Sequence, residues 1–271
     1  MAGRFVVKAL AGSGHQVTNV DRVQDDSLPC EQMTIDLTRI GEVYDAFAQI
    51  KPEAVCHLAA QPRAFRFSRE QTFMNNTAIT YNVFQVSGEM GVRRIVNSSS
   101  EMAIGWTTND QHPPVLPFNE THRIPSPNAY ALGKYVTEIM ADSFVVRHPE
   151  MAICSMRISA VVEPERLPEV VRNHQENYPR AGSSNYWSYI QTEDLGAAFL
   201  AAVEGGTTGH EVYLLANDDI TIDVPIRQAL EERFGIADRL AEDHGGFQSV
   251  FDNSKLKRDF GWSPQHSWRE S

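Results

Sequence analysis

The chain has 271 residues, 42% of them hydrophobic, which is enough to bury a sizeable core and excludes global disorder. Its 24 basic and 35 acidic side chains leave a net charge of −11. That balance argues against nucleic acid or an anionic membrane as the main partner, since both select basic surfaces, but not against an anionic cofactor held at a helix N-terminus.

The predicted elements alternate. Phe5, Val6 and Leu10 suit one helix face, and Gly12 and Gly14 end it. Residues 16–20 read as a short strand ending in Asp21, and Asp36-Leu37 follows the next short apolar stretch. Ile40, Val43, Phe47 and Ile50 mark a helix over 39–50, which Pro52 stops. A buried strand over 54–58 follows, then a long helix over 68–90 and a strand over 94–97 that runs into Ser98-Ser99-Ser100. Residues 101–127 read as a polar, proline-bearing loop, 128–147 as a helix and 152–158 as a strand. Parallel strands need crossover helices, so this rhythm predicts an α/β fold, a Rossmann-type doubly wound parallel sheet. Beyond about residue 162 the rhythm breaks. Residues 163–184 read as irregular and are followed by a strand over 187–190, a helix over 193–203, a strand over 211–215 and a helix over 226–234. The expected division is 1–162 for a nucleotide-binding domain and 163–271 for a smaller substrate lobe that partly returns to the sheet.

Several classes of site are not predicted. Cys30, Cys56 and Cys154 form no C-x-x-C pair and no even disulfide framework, so a reducing, cytoplasmic setting is expected. The nine histidines show no metal-ligand spacing, and the longest apolar stretches are far too short to span a bilayer. Residues 1–10 lack the uninterrupted apolar region of a signal peptide.

The informative motif is Tyr130-Ala-Leu-Gly-Lys134 downstream of the serine run. Residues four apart share a helix face, and a cation beside a phenol favours the phenolate. A serine hydroxyl alongside could hold a substrate oxygen while the phenol takes its proton. Taken alone, Tyr-x-x-x-Lys is a weak signal. Its company raises the odds: Asp21 at a strand end, where an acid accepts hydrogen bonds from ribose hydroxyls, then Asp36-Leu37, then His57-Leu58-Ala59-Ala60 closing a buried strand with small residues.

In that order and spacing these pieces resemble the extended short-chain dehydrogenase/reductases, the NAD-dependent epimerase/dehydratase family. The resemblance extends to Trp187-Ser188-Tyr189-Ile190 with Asp194 and to Gly261-Trp262-Ser263-Pro264. It implies NAD as cofactor, Ser100 and Tyr130 as catalytic residues, and Lys134 as the residue that lowers the tyrosine pKa and holds the nicotinamide ribose. It further implies Asp21 as the NAD-selecting acid, Asp36 beside the adenine with Leu37, and Leu58, Ala59, Ala60 and Gln61 as the cofactor groove wall. Asn76 resembles the asparagine that supports the active-site helix. The family opens with a strand and a G-x-x-G-x-x-G turn. Gly3, eighteen positions before Asp21, fits that turn's last glycine, so the chain reads as N-terminally truncated, its first strand apparently missing. Family dehydratases follow the catalytic hydroxyl with Asp-Glu. Here Glu101 is acidic but Met102 is not, which disfavours sugar dehydration.

The implied activity is an NAD-dependent epimerase or oxidoreductase acting on a sugar or nucleotide-sugar. A uronate or sugar dehydrogenase is the rival, because Arg157-Ile158-Ser159 running to Glu163-Pro164 is similar to that group. A non-catalytic dinucleotide-binding protein or inactive fragment is the reading from another class. The helices over 76–90 and 128–147 would supply a four-helix homodimer contact. Plainer roles stand beside these: a turn or Arg22 ion pair for Asp21, a helix cap for Asp36, an ordinary helix-face polar residue for Asn76, and a satisfied core histidine for His57. Arg157 and Arg180 are candidate clamps for an anionic substrate.

Overall fold

The computed structural model describes residues 2–61, 67–105, 111–123, 125–126 and 128–270. The chain starts with α1 (Ala2–Gly12), then β1 (Thr18–Asp21), β2 (Glu31–Thr34), α2 (Ile40–Ile50) and β3 (Ala54–His57). The helix α3 (Arg69–Glu89) leads to β4 (Arg94–Ser98), and α4 (Ala129–Arg147) leads to β5 (Ala152–Ile158). Then come β6 (Val161–Val162), α5 (Leu167–Glu176), β7 (Ile190–Gln191), α6 (Thr192–Glu204), β8 (His210–Leu215), α7 (Ile226–Phe234) and α8 (Ser254–Phe260).

β3, β4, β5 and β8 form a four-stranded parallel sheet in that order. Among the described residues β1 and β2 pair in parallel only with each other, as do β6 and β7. Successive strand residues face opposite sides, so each strand feeds two layers. Ile95 and Ile153 pack with Val43 and Phe47 of α2, Val83 and Phe84 of α3, and Phe144 of α4. Their neighbours Val96 and Cys154 pack on the other side with Val6 and Leu10 of α1, Leu195 and Phe199 of α6, and Leu256 of α8. α1 lies close on α6: a Cβ added at Gly196 would sit 2.8 Å from the Phe5 carbonyl oxygen, so only glycine allows that approach. A further apolar core gathers Trp187, Ile226, Leu240 and Phe251 with Ile104, Leu116 and Phe118 from the segment after β4.

Two expectations need correction. Residues 187–190 are not a strand throughout. Tyr186 and Trp187 have φ of 53° and 58° and turn into the C-terminal core, Ser188 makes only an isolated bridge to Ile220, and the ladder with β6 starts at Ile190. Nor is 163–184 irregular throughout, since α5 starts with a proline at its first positions, where the missing N–H costs nothing. The loop expected over 101–127 opens with a 3₁₀ turn, Glu101–Ile104, while residues 106–110, 124 and 127 fall outside the described residues. The two motifs flanking the C-terminal region meet. Asp194 accepts from the backbone N–H groups of Gln265 and His266, and Trp262 Nε1 donates to the Asp194 carbonyl.

Candidate active site

The site is built where β4 ends. The Ser100 hydroxyl accepts from Met102 N at 3.2 Å and caps the 3₁₀ turn that follows. Two contacts four residues apart on α4 fasten the serine run to that helix. Lys134 Nζ donates to the Ser98 carbonyl, and Ser99 Oγ donates to Glu138 Oε1 at 2.5 Å. Glu138 is held in turn from β5, where Arg157 Nε donates to its Oε1 at 3.0 Å and Nη2 to its Oε2 at 2.9 Å. Both partners are buried, and Arg157 Nη1 also donates to the Glu120 carbonyl. Arg157 is therefore an internal strut between β5 and α4, not a clamp in the cleft, and Arg180 is exposed and absent from the cleft wall.

Tyr130 owes its place to a helix cap. Asn128 Oδ1 accepts from Tyr130 N at 2.8 Å and from Ala131 N at 3.2 Å, which starts α4 with the phenol on its first turn. Ser100, Tyr130 and Lys134 line one cleft of about 1890 Å³, whose wall also includes Gly3, Asp21, Leu37, Leu58, Ala59 and Ala60. The edges of β1 and β3 face this cleft.

Three expected cofactor residues are not on that wall. Asp36 accepts from Thr38 N at 3.0 Å and Thr38 Oγ1 at 2.8 Å, contacts that hold its carboxyl below the usual range and make a turn ahead of α2. Asn76 is buried in α3 and clasps the Gln61 backbone, accepting from its N–H at 2.7 Å and donating to its carbonyl at 3.2 Å. Gln61 is thereby fixed behind Ala59 and Ala60, so Asn76 shapes the groove through the loop after β3. Asp21 is exposed and accepts from Val23 N at 3.1 Å; no ion pair to Arg22 forms among the described residues. His57 pairs with Thr80 Oγ1 at 3.0 Å, and burial, with the Lys134 charge, depresses it to about 3.

The electrostatics differ from expectation. Burial pushes the Tyr130 phenol up to about 12; the Ser100 hydroxyl opposes this and the Glu101 carboxyl adds to it. Burial lowers the Lys134 ammonium to about 8, opposed by Glu138. Lys134 does not pull the phenol down here, because Nζ is engaged by the Ser98 carbonyl and lies 5.9 Å from the Tyr130 ring centre.

Sequence reasoning missed three residues of this site. Asn128, directly before a helical run, carries an ordinary N-cap signal. Glu138 follows Lys134 by one helical turn. Glu101 was visible as an acid, but nothing in the sequence marks it as buried in the cleft wall.

The fold and the cleft at the carboxyl ends of parallel strands define a nucleotide-binding α/β protein of the doubly wound type. The NAD dependent epimerase/dehydratase family model matches residues 1–216, and the chain belongs to that family. It is 27% identical over 246 residues to sterol demethylase protein B of Methylococcus capsulatus, a match covering 86% of this chain and 71% of that protein. Among solved structures it is similar to the UDP-glucose 4-epimerase of Thermotoga maritima, with UDP-glucose, at TM-score 0.73, 20% identity and coverage of 100% and 92%. It is likewise similar to that of Thermus thermophilus in complex with NAD, at TM-score 0.72, 19% identity and coverage of 100% and 93%. The protein is thus an NAD-dependent enzyme of the epimerase/dehydratase family.

The residues present fit that cofactor. Ala59 and Ala60 leave the groove wall low, a Cβ on Gly3 would meet nothing within 4 Å, and the Asp21 acid lines the same cleft as Tyr130 and Lys134. Among the described residues no helix is long and apolar enough to cross a membrane.

Proposed function

We propose that the protein is an NAD-dependent epimerase or oxidoreductase of a sugar, in the first place a nucleotide-sugar, worked by Ser100, Tyr130 and Lys134. The observation that carries this reading is that three side chains separated in sequence, one from the end of β4 and two from the first turns of α4, share one cleft wall with Asp21. In this reading Ser100 holds the reacting hydroxyl and Tyr130 takes its proton. The bound NAD supplies the hydride acceptor. Lys134 and Asp21 hold the two ribose groups, Leu37 and Leu58 flank the adenine end, and Gly3 at the start of α1 leaves room for phosphate. With the phenol raised to about 12 in this form, Tyr130 needs added positive charge in the cleft before it works as a base. The positive charge of an oxidised nicotinamide held beside Tyr130 and Lys134 would meet that need.

Tyr130→Phe tests the assignment. We expect turnover of UDP-glucose or UDP-galactose to fall roughly 10²–10⁴-fold, with NAD binding by titration nearly unchanged. Retained turnover overturns it. A one-way uronate or sugar dehydrogenase is the second reading, favoured by Ser159 and Glu163 on the same wall after Arg157-Ile158. Net NADH formation with glucuronate decides for it, and interconversion of sugars without net redox change decides for epimerisation. A sterol alcohol in the same assay tests what the curated relative's name suggests. If none of these turns over while NAD still binds, a non-catalytic dinucleotide-binding role stands.

The site is read as belonging to a cytoplasmic homodimer. α3 and α4 pack together and expose apolar side chains at seven-residue intervals, Met74 and Tyr81 on α3 and Leu132, Ile139 and Val146 on α4. Val146 is 83% exposed, an apolar side chain at a place that a second copy would cover. Ile139→Lys should convert a dimer to a monomer by light scattering, and an unchanged mass would sink this surface.

A further inference from the structure

Among the described residues the Glu101 carboxyl is the acidic group that acts on the phenol, and the proton path just described leaves it no task. It is 9% exposed, it stands on the cleft wall directly after Ser100, and its Oε2 has no hydrogen-bond partner among the described residues. Its charge reaches the Tyr130 phenol. A buried carboxyl oxygen with nothing to bind costs free energy, and such groups in native proteins are normally explained by a missing partner. The apolar side chains of this turn show what burial is for: Ala103 and Ile104 face the core, while Glu101 is turned to the cleft.

We infer that Glu101 forms a substrate subsite, its free carboxyl oxygen binding the hydroxyl on the carbon next to the one that reacts. The inference rests on the Ser100–Tyr130 reading, which puts the reacting oxygen between those two side chains. Glu101 lines the same cleft wall and its charge acts on the phenol, so its oxygen addresses an atom close to the reacting one. The chemistry selected is a vicinal diol, as in a sugar ring, over a deoxy analogue.

The environment sets the form in which the carboxyl binds. Burial raises it to about 8, opposed by the side chains of Ser159 and Asn185. On the first turns of α4 and the end of β5, which pack against this turn, the charged and titratable groups nearest the serine run are Tyr130, Lys134, Glu138 and Arg157, with Glu163 further along the cleft wall and Tyr135, Asp142, Arg147 and Cys154 elsewhere on those elements. Lys134 is tied to the Ser98 carbonyl and Arg157 to Glu138, so neither cation is spent on Glu101. At neutral pH Glu101 is therefore a carboxylic acid. It can donate through O–H and accept through C=O, and a hydroxyl complements both. Above about pH 8 it becomes an anion, which also makes the phenol harder to ionise.

The test pairs a spectrum with a specificity. In infrared difference spectra of the NAD-loaded protein, a carboxylic-acid carbonyl band should be absent from Glu101→Gln, vanish as pH rises through about 8, and shift when UDP-glucose, UDP-galactose or glucuronate is added. In calorimetric titrations, the wild type should bind UDP-glucose about 10–100-fold more tightly than its 3-deoxy analogue. Glu101→Gln should keep part of that ratio, and Glu101→Met should abolish it. A band that none of the three ligands shifts overturns the subsite, as does an intact ratio in Glu101→Met. Failure of the wider reading looks different: the band shifts, yet turnover survives Tyr130→Phe. Should Glu101→Met not fold, the pH titration and ligand shift of the wild-type band, identified by its loss in Glu101→Gln, still decide.

Discussion

The two ends of the cleft are built to different standards. At the end lined by Ser100, Tyr130 and Lys134, β4 and β5 are paired on both sides, β5 is buried along its whole length, and the serine run is fastened to α4 through Lys134 and Glu138. At the other end, β1 and β2 pair only with each other over four residues, and Asp21 stands exposed. β3 marks the boundary, hydrogen-bonded to β4 on one side and half-buried against the cleft on the other. Proton transfer tolerates little misplacement, because reacting groups must be held to within fractions of an ångström. A strand that presents one carboxylate to ribose hydroxyls, the role proposed for Asp21, would have a looser task.

The comparison breaks most sharply under hydrogen exchange. Local opening is cheapest where backbone hydrogen bonds are solvent-exposed and few apolar contacts resist it. Amides of β1 and β2 should exchange by local opening, orders of magnitude faster than those of Ile95, Val96, Ile153 and Cys154, which should open only with the whole fold. Saturating NAD should slow the β1–β2 amides selectively. Equal protection at both ends would refute the contrast.

The next effect in size belongs to the strut. Removing one partner of a buried ion pair leaves an uncompensated charge and typically costs about 3–5 kcal/mol. Arg157→Ala should therefore lower stability by that order in a denaturant titration and let the uncompensated Glu138 carboxylate swing toward water and away from Ser99, so kcat should fall even at temperatures where the variant is folded. The double replacement Arg157→Met with Glu138→Leu should recover much of the stability and little of the kcat, since Ser99 still lacks its acceptor. Recovery of both would show that Glu138 only fills space.

Much of this architecture is legible in the sequence because it depends on local periodicity. The strand at 152–158 and the helix at 226–234 coincide with β5 and α7 to the residue, and the i, i+4 spacing of Tyr130 and Lys134 puts both on the cleft side of α4. What escaped depends on contacts distant in sequence or on backbone geometry that composition disguises. Trp187 and Tyr189 have the side chains of a strand, but the left-handed backbone at 186–187 sends Trp187 into the C-terminal core, while Tyr189 packs with Val162, Leu167 and Val171. Pro164 and Pro168 read as punctuation, whereas in the fold they open a 3₁₀ turn and α5. The Ser99–Glu138–Arg157 chain joins three elements, and no spacing rule connects residue 138 to residue 157. The sign of the Tyr130 shift was missed for the same reason: the spacing shows that Lys134 is near, but not that the Ser98 carbonyl claims it.

The smallest predicted effect isolates the cost of the cleft itself. Glu101 carries a folded-state pKa raised from 4.5 to about 8, so in that window the folded protein holds a proton that the unfolded chain has lost. Stability then falls as pH rises, and it is fully present only below the unfolded value. Glu101→Gln removes the titration but keeps the shape and one carbonyl oxygen. The stability difference between wild type and Glu101→Gln should thus shift in favour of the variant between pH 5 and pH 8, by about 1.4 kcal/mol for each pK unit of true shift. Only the change with pH carries the information, because the amide brings its own unmatched N–H group at every pH. Lys134, lowered to about 8 from the other direction, contributes a slope only above that pH, and His57 is neutral in the fold throughout the window. The unfolded chain protonates His57 below its ordinary 6.5, which gives a slope over the lower part of the window in both proteins and cancels in the difference. Parallel stability curves from pH 5 to pH 8 would mean that Glu101 is already ionised in the fold, and that the phenol beside it carries a larger electrostatic burden than burial alone imposes.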